Sequence, residues 1–304
     1  MFDRFESRVT LTGRLTAQTA LRIGAGRATR VMGTDLPVVR DAVGKPYIPG
    51  SSFKGVLRAS VEAIVRSVVP HRKGACLPVN EGEQCILRGA PGTNEARAKN
   101  QTWTYPQAGV PPHEKVGIRD LQADLPGELG KRDQELARRV QDESCLVCRV
   151  FGSAWLASKI SIRDLLVDED MWFGQFEVRN GVAIDRDTET ASTGLLYDFE
   201  VTPAGTRFGC EIVVENAEDW ELGLLMVGLR PFEQGEAALG GARSRGLGVV
   251  KIDWNSRTRV DKAHLLDWAT DGAPATTITN DDVKNWIKKF RARLEGESSA
   301  QPLI

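Results

Sequence analysis

Short stretches of the chain alternate apolar and polar residues, and this period of two predicts half-buried strands. The clearest is residues 8–15 (RVTLTGRL), where every second side chain from Val9 is apolar or glycine. Residues 159–167, 207–215 and 249–254 also have the character of strands. Between the first and second of these, residues 181–197 hold two apolar pieces separated by polar turn residues, which predicts a long hairpin.

Other stretches repeat their apolar residues at the spacing of a helix. From Phe53 to Val68 the pattern predicts a helix that Pro70 ends, with Ser51 or Ser52 as its cap. A second buried helix is predicted around residues 220–229. Shorter helical patterns cover residues 131–141 and a basic amphipathic segment, 281–294. We interpret the latter as a docking helix, and contact with RNA is the alternative.

The resulting order, β–α–β(hairpin)β–α–β, is typical of an α+β, ferredoxin-like or RRM-like domain, here called the palm. We assign the palm to residues 1–70 and 150–256, with the hairpin at about 181–200. Residues 71–149 are rich in Gly, Pro, Asn and charge, and we interpret them as an irregular insertion. Residues 257–304 form a C-terminal helical extension.

Composition narrows the class of protein without naming a function. No apolar run approaches the ~20 residues that span a bilayer, and the start, MFDRFESRVTL, lacks the layout of a signal peptide. We therefore expect a cytoplasmic protein without a membrane partner. The net charge is −1 and the pI is near 6.4, so binding of nucleic acid requires locally clustered cations.

The five cysteines do not suggest a disulfide framework, because their number is odd and no secretion signal is visible. Cys145 and Cys148 form a CxxC pair at the end of the insertion. We predict a structural zinc site that holds the two ends of the insertion together. Its four ligands would come from this pair and from the upstream Cys76, Cys85 and His71. Buried free thiols are the alternative, and we expect Cys210 to pack in a strand.

A glycine-rich loop, residues 240–248 (GGARSRGLG), carries Arg243 and Arg245 beside amides that a ligand can approach closely. It predicts a phosphodiester-binding loop, and the alternative is a tight turn with solvated arginines. Lys54 and Arg58, one turn apart near the start of the first helix, also suit a phosphate.

Classical hydrolase motifs are absent from the sequence. Three histidines, His71, His113 and His264, lie outside any catalytic pattern, and GxSxG and HExxH do not occur. Asp35 lies in a loop, where an aspartate most often forms a turn.

Several segments together resemble the RAMP superfamily, in particular the backbone subunit of type III CRISPR effector complexes. They occur in the family's order and span nearly the whole chain: LRIGAG at 21–26, GTDLPVVRD at 33–41, YIPGSSFKGVLR at 47–58, CxxCRVFGS at 145–153, the segment 181–208 and GGARSRGLGVV at 240–250.

The resemblance implies a role for each segment. Ser51, Ser52, Lys54 and Arg58 match positions that contact the guide RNA. The hairpin, which includes Arg186, matches a thumb that crosses the guide–target duplex and displaces nucleotides. We expect Arg186, Arg243 and Arg245 to bind RNA as well.

Asp35 matches the aspartate that cuts target RNA beside the displaced nucleotides. It would act on the 2′-OH, with the help of a divalent cation such as magnesium. The implied partners are guide (CRISPR) RNA, complementary single-stranded target RNA and other RAMP subunits.

Two other functions use the same features. One is a non-catalytic scaffold that only holds guide or target RNA. The other is a guide-processing endoribonuclease, although such enzymes commonly rely on histidine. The long insertion and the C-terminal helix extend beyond the simplest backbone subunits and suggest a variant subtype.

Overall fold

The computed structural model describes residues 4–26, 34–69, 73–79, 83–87, 117–123 and 125–299. The strands of this described part are β1 Ser7–Ala17, β2 Tyr47–Ile48, β3 Ile160–Ile162, β4 Leu165–Leu166, β5 Glu177–Ile184, β6 Ala191–Val201, β7 Arg207–Glu215, β8 Ala237–Ala238, β9 Val249–Asp261 and β10 Thr276–Thr277. Its α-helices are α1 Gly50–Val68, α2 Ile118–Gln122, α3 Leu129–Glu143, α4 Leu146–Phe151, α5 Asp219–Gln234, α6 Leu265–Thr270 and α7 Asn280–Ser299.

The main sheet is antiparallel and has the strand order β10–β9–β1–β7–β3, with β8 paired to β9. Its central strand is β1, in which Leu11 and Leu15 are fully buried. If β1, β3, β7 and β9 are numbered in chain order, the sheet reads 4–1–3–2, the ferredoxin-like order. The predicted α+β, ferredoxin-like class is therefore confirmed.

Helices α1 and α5 follow β1 and β7 and pack against each other and the sheet. The rings of Phe53 and Phe232 lie 4.9 Å apart between centroids, and both side chains are fully buried. A Cβ on Gly228 would lie 2.4 Å from Val61 Cγ2, so the absence of a side chain there lets the two helices approach closely. These contacts form the centre of the hydrophobic core.

Helix α7, the predicted docking helix, lies against α5. Trp286, Phe290 and Leu294 are buried, as the apolar face of the sequence predicts. Part of its basic face is paired within the chain, since Lys289 contacts Asp219 at 2.5 Å and the Arg293 guanidinium lies 5.8 Å from the centroid of the Trp220 ring. The helix thus adds a layer over α5.

Gly223 sets the distance between α5 and α7. A Cβ at this position would lie 2.1 Å from the Trp286 carbonyl oxygen, which is a backbone atom that cannot rotate away. We expect Gly223→Ala to lower the free energy of unfolding by about 1–3 kcal/mol, measured by denaturant titration. Gly296→Ala is the matched control, because nothing lies within 4 Å of its Cβ and alanine favours a helix. Equal stability of the two variants would contradict this packing.

Several predicted boundaries differ from the structure. The strand predicted at 159–167 divides into β3 and β4 because Asp164, between them, turns to accept a hydrogen bond from the Gly50 amide at 2.8 Å. The hairpin is longer than 181–197, and β9 continues to Asp261, past residue 256 where we place the end of the palm. The domain boundaries themselves remain a prediction.

The predicted cap of α1 is wrong. Pro49 is the N-cap residue, and neither Ser51 nor Ser52 caps the helix with its side chain. The carboxylate of Asp164 binds the first helical amide instead. A long-range contact of this kind, 114 residues away in the sequence, has no local signal.

Within the described ranges, no helix is both long enough and apolar enough to cross a membrane.

Candidate functional site

Three segments that are far apart in the sequence converge on a small apolar cluster beside the main core. Its buried members come from the residues just after β1, from β6 and from the glycine-rich loop, and the segment after Asp35 packs against it. The buried residues are Ala20, Phe199, Val201 and Leu247, and the partly buried ones are Leu36, Tyr197 and Ala242. Asp35, the hairpin and the loop at 240–248 are therefore held together.

Asp35 is exposed at the base of the hairpin. Its Oδ2 accepts a hydrogen bond from the Asp198 amide at 3.3 Å. The next residue, Leu36, pairs with Phe199, and its carbonyl accepts from the Glu200 amide at 3.1 Å. Because the backbone of Leu36 is paired with β6 and the Asp198 amide of β6 donates to Asp35 itself, the carboxylate has a defined position while remaining open to a ligand.

The strand next to Asp35 is tied to the glycine-rich loop. Arg245 donates from Nη1 to the Tyr197 hydroxyl at 2.5 Å. Tyr197 lies opposite Gly181 in the hairpin, and a Cβ on Gly181 would lie 2.2 Å from the tyrosine ring. The glycine leaves room for this ring, which brings the phenol within reach of Arg245.

The glycine-rich loop is a compact turn in which packing requires two of the glycines. Gly240 and Gly248 have φ of 76° and 86°, and a Cβ on either would lie 2.1 Å from a carbonyl oxygen. Residues Arg243–Arg245 form a single 3₁₀ turn, and both arginines are exposed. The structure therefore places two cations at the surface on a rigid backbone.

The predicted guide contacts on α1 differ in exposure. Ser51 is exposed and Ser52 is half-buried. Lys54 donates to Ser158 Oγ at 2.7 Å and to the Ile160 carbonyl at 3.0 Å. Burial lowers the pKa of Lys54, and the neighbouring Arg58 lowers it further.

Arg58 also donates to acceptors of the chain itself. Its partners are Glu62 at 2.8 Å, the Gly152 carbonyl at 2.9 Å and Cys148 Sγ at 3.2 Å. Burial opposes its charge, but the hydrogen bonds and opposite charges of Glu62 and Cys148 prevail and raise its pKa. Arg186, by contrast, is exposed in the turn of the hairpin.

The structure brings together the four predicted cysteine ligands. The Sγ atoms of Cys76, Cys85, Cys145 and Cys148 all lie within 4.8 Å of one another, and all four side chains are buried. His71, the fifth candidate, lies outside the described residues. Cys210 is buried on β7, apart from this cysteine cluster, and burial raises its pKa to about 12.

The cluster has the donor set of a structural zinc site, and its sulfurs lie close enough together to hold an ion. A zinc ion bound to four sulfurs at ~2.3 Å holds them about 3.8 Å apart, and Cys76 Sγ lies 3.5 Å from Cys148 Sγ. The amides of Cys76 and Cys148 both point to Cys145 Sγ, at 3.5 and 3.4 Å. Hydrogen bonds from Cys145 and Cys148 lower the pKa of Cys85, and hydrogen bonds from Cys145 and Cys76 raise the pKa of Cys148.

Sequence reasoning missed some residues at these sites. Glu62 and Arg66 lie on the same face of α1 as Arg58. The available signal was Glu62, a charged residue among the apolar positions of this helix. Tyr197 had no signal of its own, because its role depends on the pairing with Gly181. Arg22 Nε is buried without a hydrogen-bond partner among the described residues, and its guanidinium lies 5.8 Å from the Phe199 ring centroid.

Comparison with known proteins agrees with this architecture. The family model of the RAMP superfamily matches residues 14–251. The chain is 26% identical over 253 residues to the CRISPR system Cms endoribonuclease Csm3 of Methanocaldococcus jannaschii, covering 81% of this chain and 79% of that protein.

Two further relatives carry the same name. The protein of Methanothermobacter thermautotrophicus is 25% identical over 276 residues, or 82% of this chain and 85% of its own length. That of Mycobacterium tuberculosis is 46% identical over 54 residues, which are 17% of this chain and 23% of the relative. Since the family match covers most of the sequence and the fold has the order expected of it, the chain belongs to the RAMP superfamily.

Proposed function

We propose that this chain is a backbone subunit of a type III CRISPR effector complex that binds guide RNA and cuts complementary target RNA. Asp35 is the catalytic residue, and the hairpin β5–β6 is the thumb that crosses the guide–target duplex. The observation that carries the proposal is the convergence of Asp35, the hairpin and the two exposed arginines of the glycine-rich loop on one apolar cluster. The names of the relatives support an endoribonuclease of this class.

The chemistry requires little from the protein because RNA supplies its own nucleophile. The 2′-oxygen of a displaced nucleotide attacks the adjacent phosphorus, and its proton passes to the Asp35 carboxylate. The bond between phosphorus and the 5′-oxygen breaks, and the departing oxygen takes a proton from water. The products are a 2′,3′-cyclic phosphate and a 5′-hydroxyl. The pairing of the next residue, Leu36, with β6 and the hydrogen bond from the Asp198 amide contribute by holding the carboxylate in one place.

A divalent cation such as magnesium, when bound between the RNA phosphates and this site, would stabilise the charge that develops on the phosphate. The exposed cations Arg186, Arg243 and Arg245 bind the RNA backbone. Ser51, Ser52, Lys54 and Arg58 remain predicted guide contacts on the strength of the resemblance. Of these four, Ser51 is the most accessible in the free chain.

We also propose that Cys76, Cys85, Cys145 and Cys148 hold one structural zinc ion. The ion would join the two ends of the insertion, since Cys76 and Cys85 lie near its start and Cys145 and Cys148 at its end. Four thiolates leave no open position for a substrate. The contribution of this centre is therefore to folding.

The test of the proposed function is a cleavage assay on the complex reconstituted with guide RNA and magnesium. We expect cutting of a complementary RNA and no cutting of a scrambled RNA of equal length. Tight binding of the complementary RNA with no product would contradict the endonuclease and favour the scaffold. Cutting of a repeat hairpin by the isolated chain would instead favour guide processing.

Arg243 gives a separate prediction about RNA binding. Because this side chain is exposed on a rigid turn, Arg243→Gln should remove one phosphate contact and reduce the slope of log affinity against log salt by about 0.7. Filter binding of guide RNA at several salt concentrations measures the slope. Arg291→Gln on α7 is the control, since Arg291 is exposed and paired with Glu295. An unchanged slope for Arg243→Gln would remove this arginine from the interface.

A further inference from the structure

A row of charged side chains runs along α1 beneath the cysteine cluster. Arg58, Glu62 and Arg66 are spaced four residues apart and therefore lie on one face of the helix. Glu62 is buried, with 8% of its surface exposed. Its two carboxylate oxygens accept from the arginines on either side, from Arg58 Nε at 2.8 Å and from Arg66 Nη2 at 3.0 Å.

The two arginines reach different arms of the cysteine cluster. Arg58 donates from Nη2 to Cys148 Sγ at 3.2 Å and from Nη1 to the Gly152 carbonyl at 2.9 Å, so it holds the arm that contains α4. Arg66 donates from Nη2 to the Cys76 carbonyl at 2.7 Å and from Nε to the Ala75 carbonyl at 3.3 Å. Glu62 joins the two arginines, and through them it joins the two arms.

This arrangement suits a metal bound by four thiolates. A divalent ion with four thiolates carries a net charge of −2 in a buried site, and a guanidinium that donates to sulfur offsets part of it. Arginine stays charged under all ordinary conditions and offers several donors in a fixed plane, so one side chain can bind a sulfur, a carbonyl and a carboxylate together. Groups that hydrogen-bond to metal ligands in this way commonly raise metal affinity.

We propose that Arg58, Glu62 and Arg66 form a charged clamp that positions both arms of the cysteine cluster for a metal ion. The inference rests on the structural zinc proposed above. It assigns Arg58 a positioning role within the chain, through Cys148, that differs from the guide contact that the family resemblance implies. It also explains why a glutamate is buried in the apolar face of α1.

The test measures zinc release from the full chain after addition of excess chelator, followed with a zinc-sensitive dye. We expect Arg58→Met to release zinc about 10–100-fold faster than the wild type. Arg58→Lys should be intermediate, because it keeps the charge but loses the planar set of donors. Lys54→Met is the matched control. Lys54 is a half-buried cation on the same helix, and its hydrogen bonds go to Ser158 and Ile160 and to none of the four cysteines that the structure describes in the cluster. Its variant should release zinc at the wild-type rate.

If Arg58→Met does not fold, Glu62→Gln takes its place in the test. This substitution keeps the size of the side chain and removes the charge that joins the arginines. We expect it also to accelerate zinc release. Wild-type release rates in both the Arg58 and the Glu62 variants would contradict the charged clamp but not the zinc site itself. A wild-type chain that takes up no zinc would overturn both.

Discussion

Replacing Asp35 with asparagine in the assembled complex is expected to slow the cutting of complementary RNA by at least ~100-fold and to leave target binding unchanged. Asparagine keeps the size of the side chain and an oxygen that can accept the Asp198 amide, now 3.3 Å from Asp35 Oδ2. The loop should therefore stay attached to β6. Only the ability to take the proton of the 2′-OH is lost.

Single-turnover cleavage with excess complex isolates this step from product release, and a gel-shift titration with the same RNA measures binding. Asp271→Asn is the matched control, because Asp271 is an exposed carboxylate at the end of α6, and its variant should cut at the wild-type rate. Cleavage by Asp35→Asn at the rate of this control would remove Asp35 from the mechanism. Equal loss of binding and cutting would make Asp35 an RNA contact instead.

Removing one cysteine of the cluster is expected to have the second large effect. Cys85→Ser should reduce bound zinc from about one ion per chain to a small fraction. It should also lower the stability of the chain by roughly 3 kcal/mol or more, because the arms around the cluster lose their common centre. Elemental analysis of the purified chain and a thermal melt measure the two effects.

Cys210→Ala separates loss of metal from loss of packing. Cys210 is as buried as the cluster cysteines but lies on β7, outside the cluster. Its variant should melt at a lower temperature because of the cavity and should keep its zinc. If Cys85→Ser kept a full zinc content, the cluster would be a set of buried thiols.

The palm was predictable because its signals are local. In β1, from Arg8 to Leu15, buried residues alternate with half-buried or exposed ones and follow the alternation of residue types. Strand β7 has the bounds that the pattern gave. Helix α7 was predictable for the same reason, since its buried residues are those of the apolar face in the sequence. The break between β3 and β4 depends on the contact of Asp164 with the distant Gly50 amide. The local pattern does not show this break and predicted one continuous strand.

The candidate site was only partly predictable from physical reasoning. The four cysteines could be named from their spacing and chemistry, but their proximity depends on how the insertion folds back on α1. Asp35 had the local character of a turn residue, and its importance came from the resemblance of the surrounding segments to the family. Arg58 carried a charge that suited RNA, and nothing in its immediate neighbours showed that the side chain turns toward Cys148.

The most direct test of RNA cutting by 2′-oxygen attack uses the wild-type complex and a complementary RNA that carries one 2′-deoxynucleotide at an observed cut position. We expect cutting to stop at that position and to continue at the unmodified positions, where it leaves 2′,3′-cyclic phosphate ends. Undiminished cutting at the deoxy position would contradict it, since the nucleophile would then be water and Asp35 would have another role.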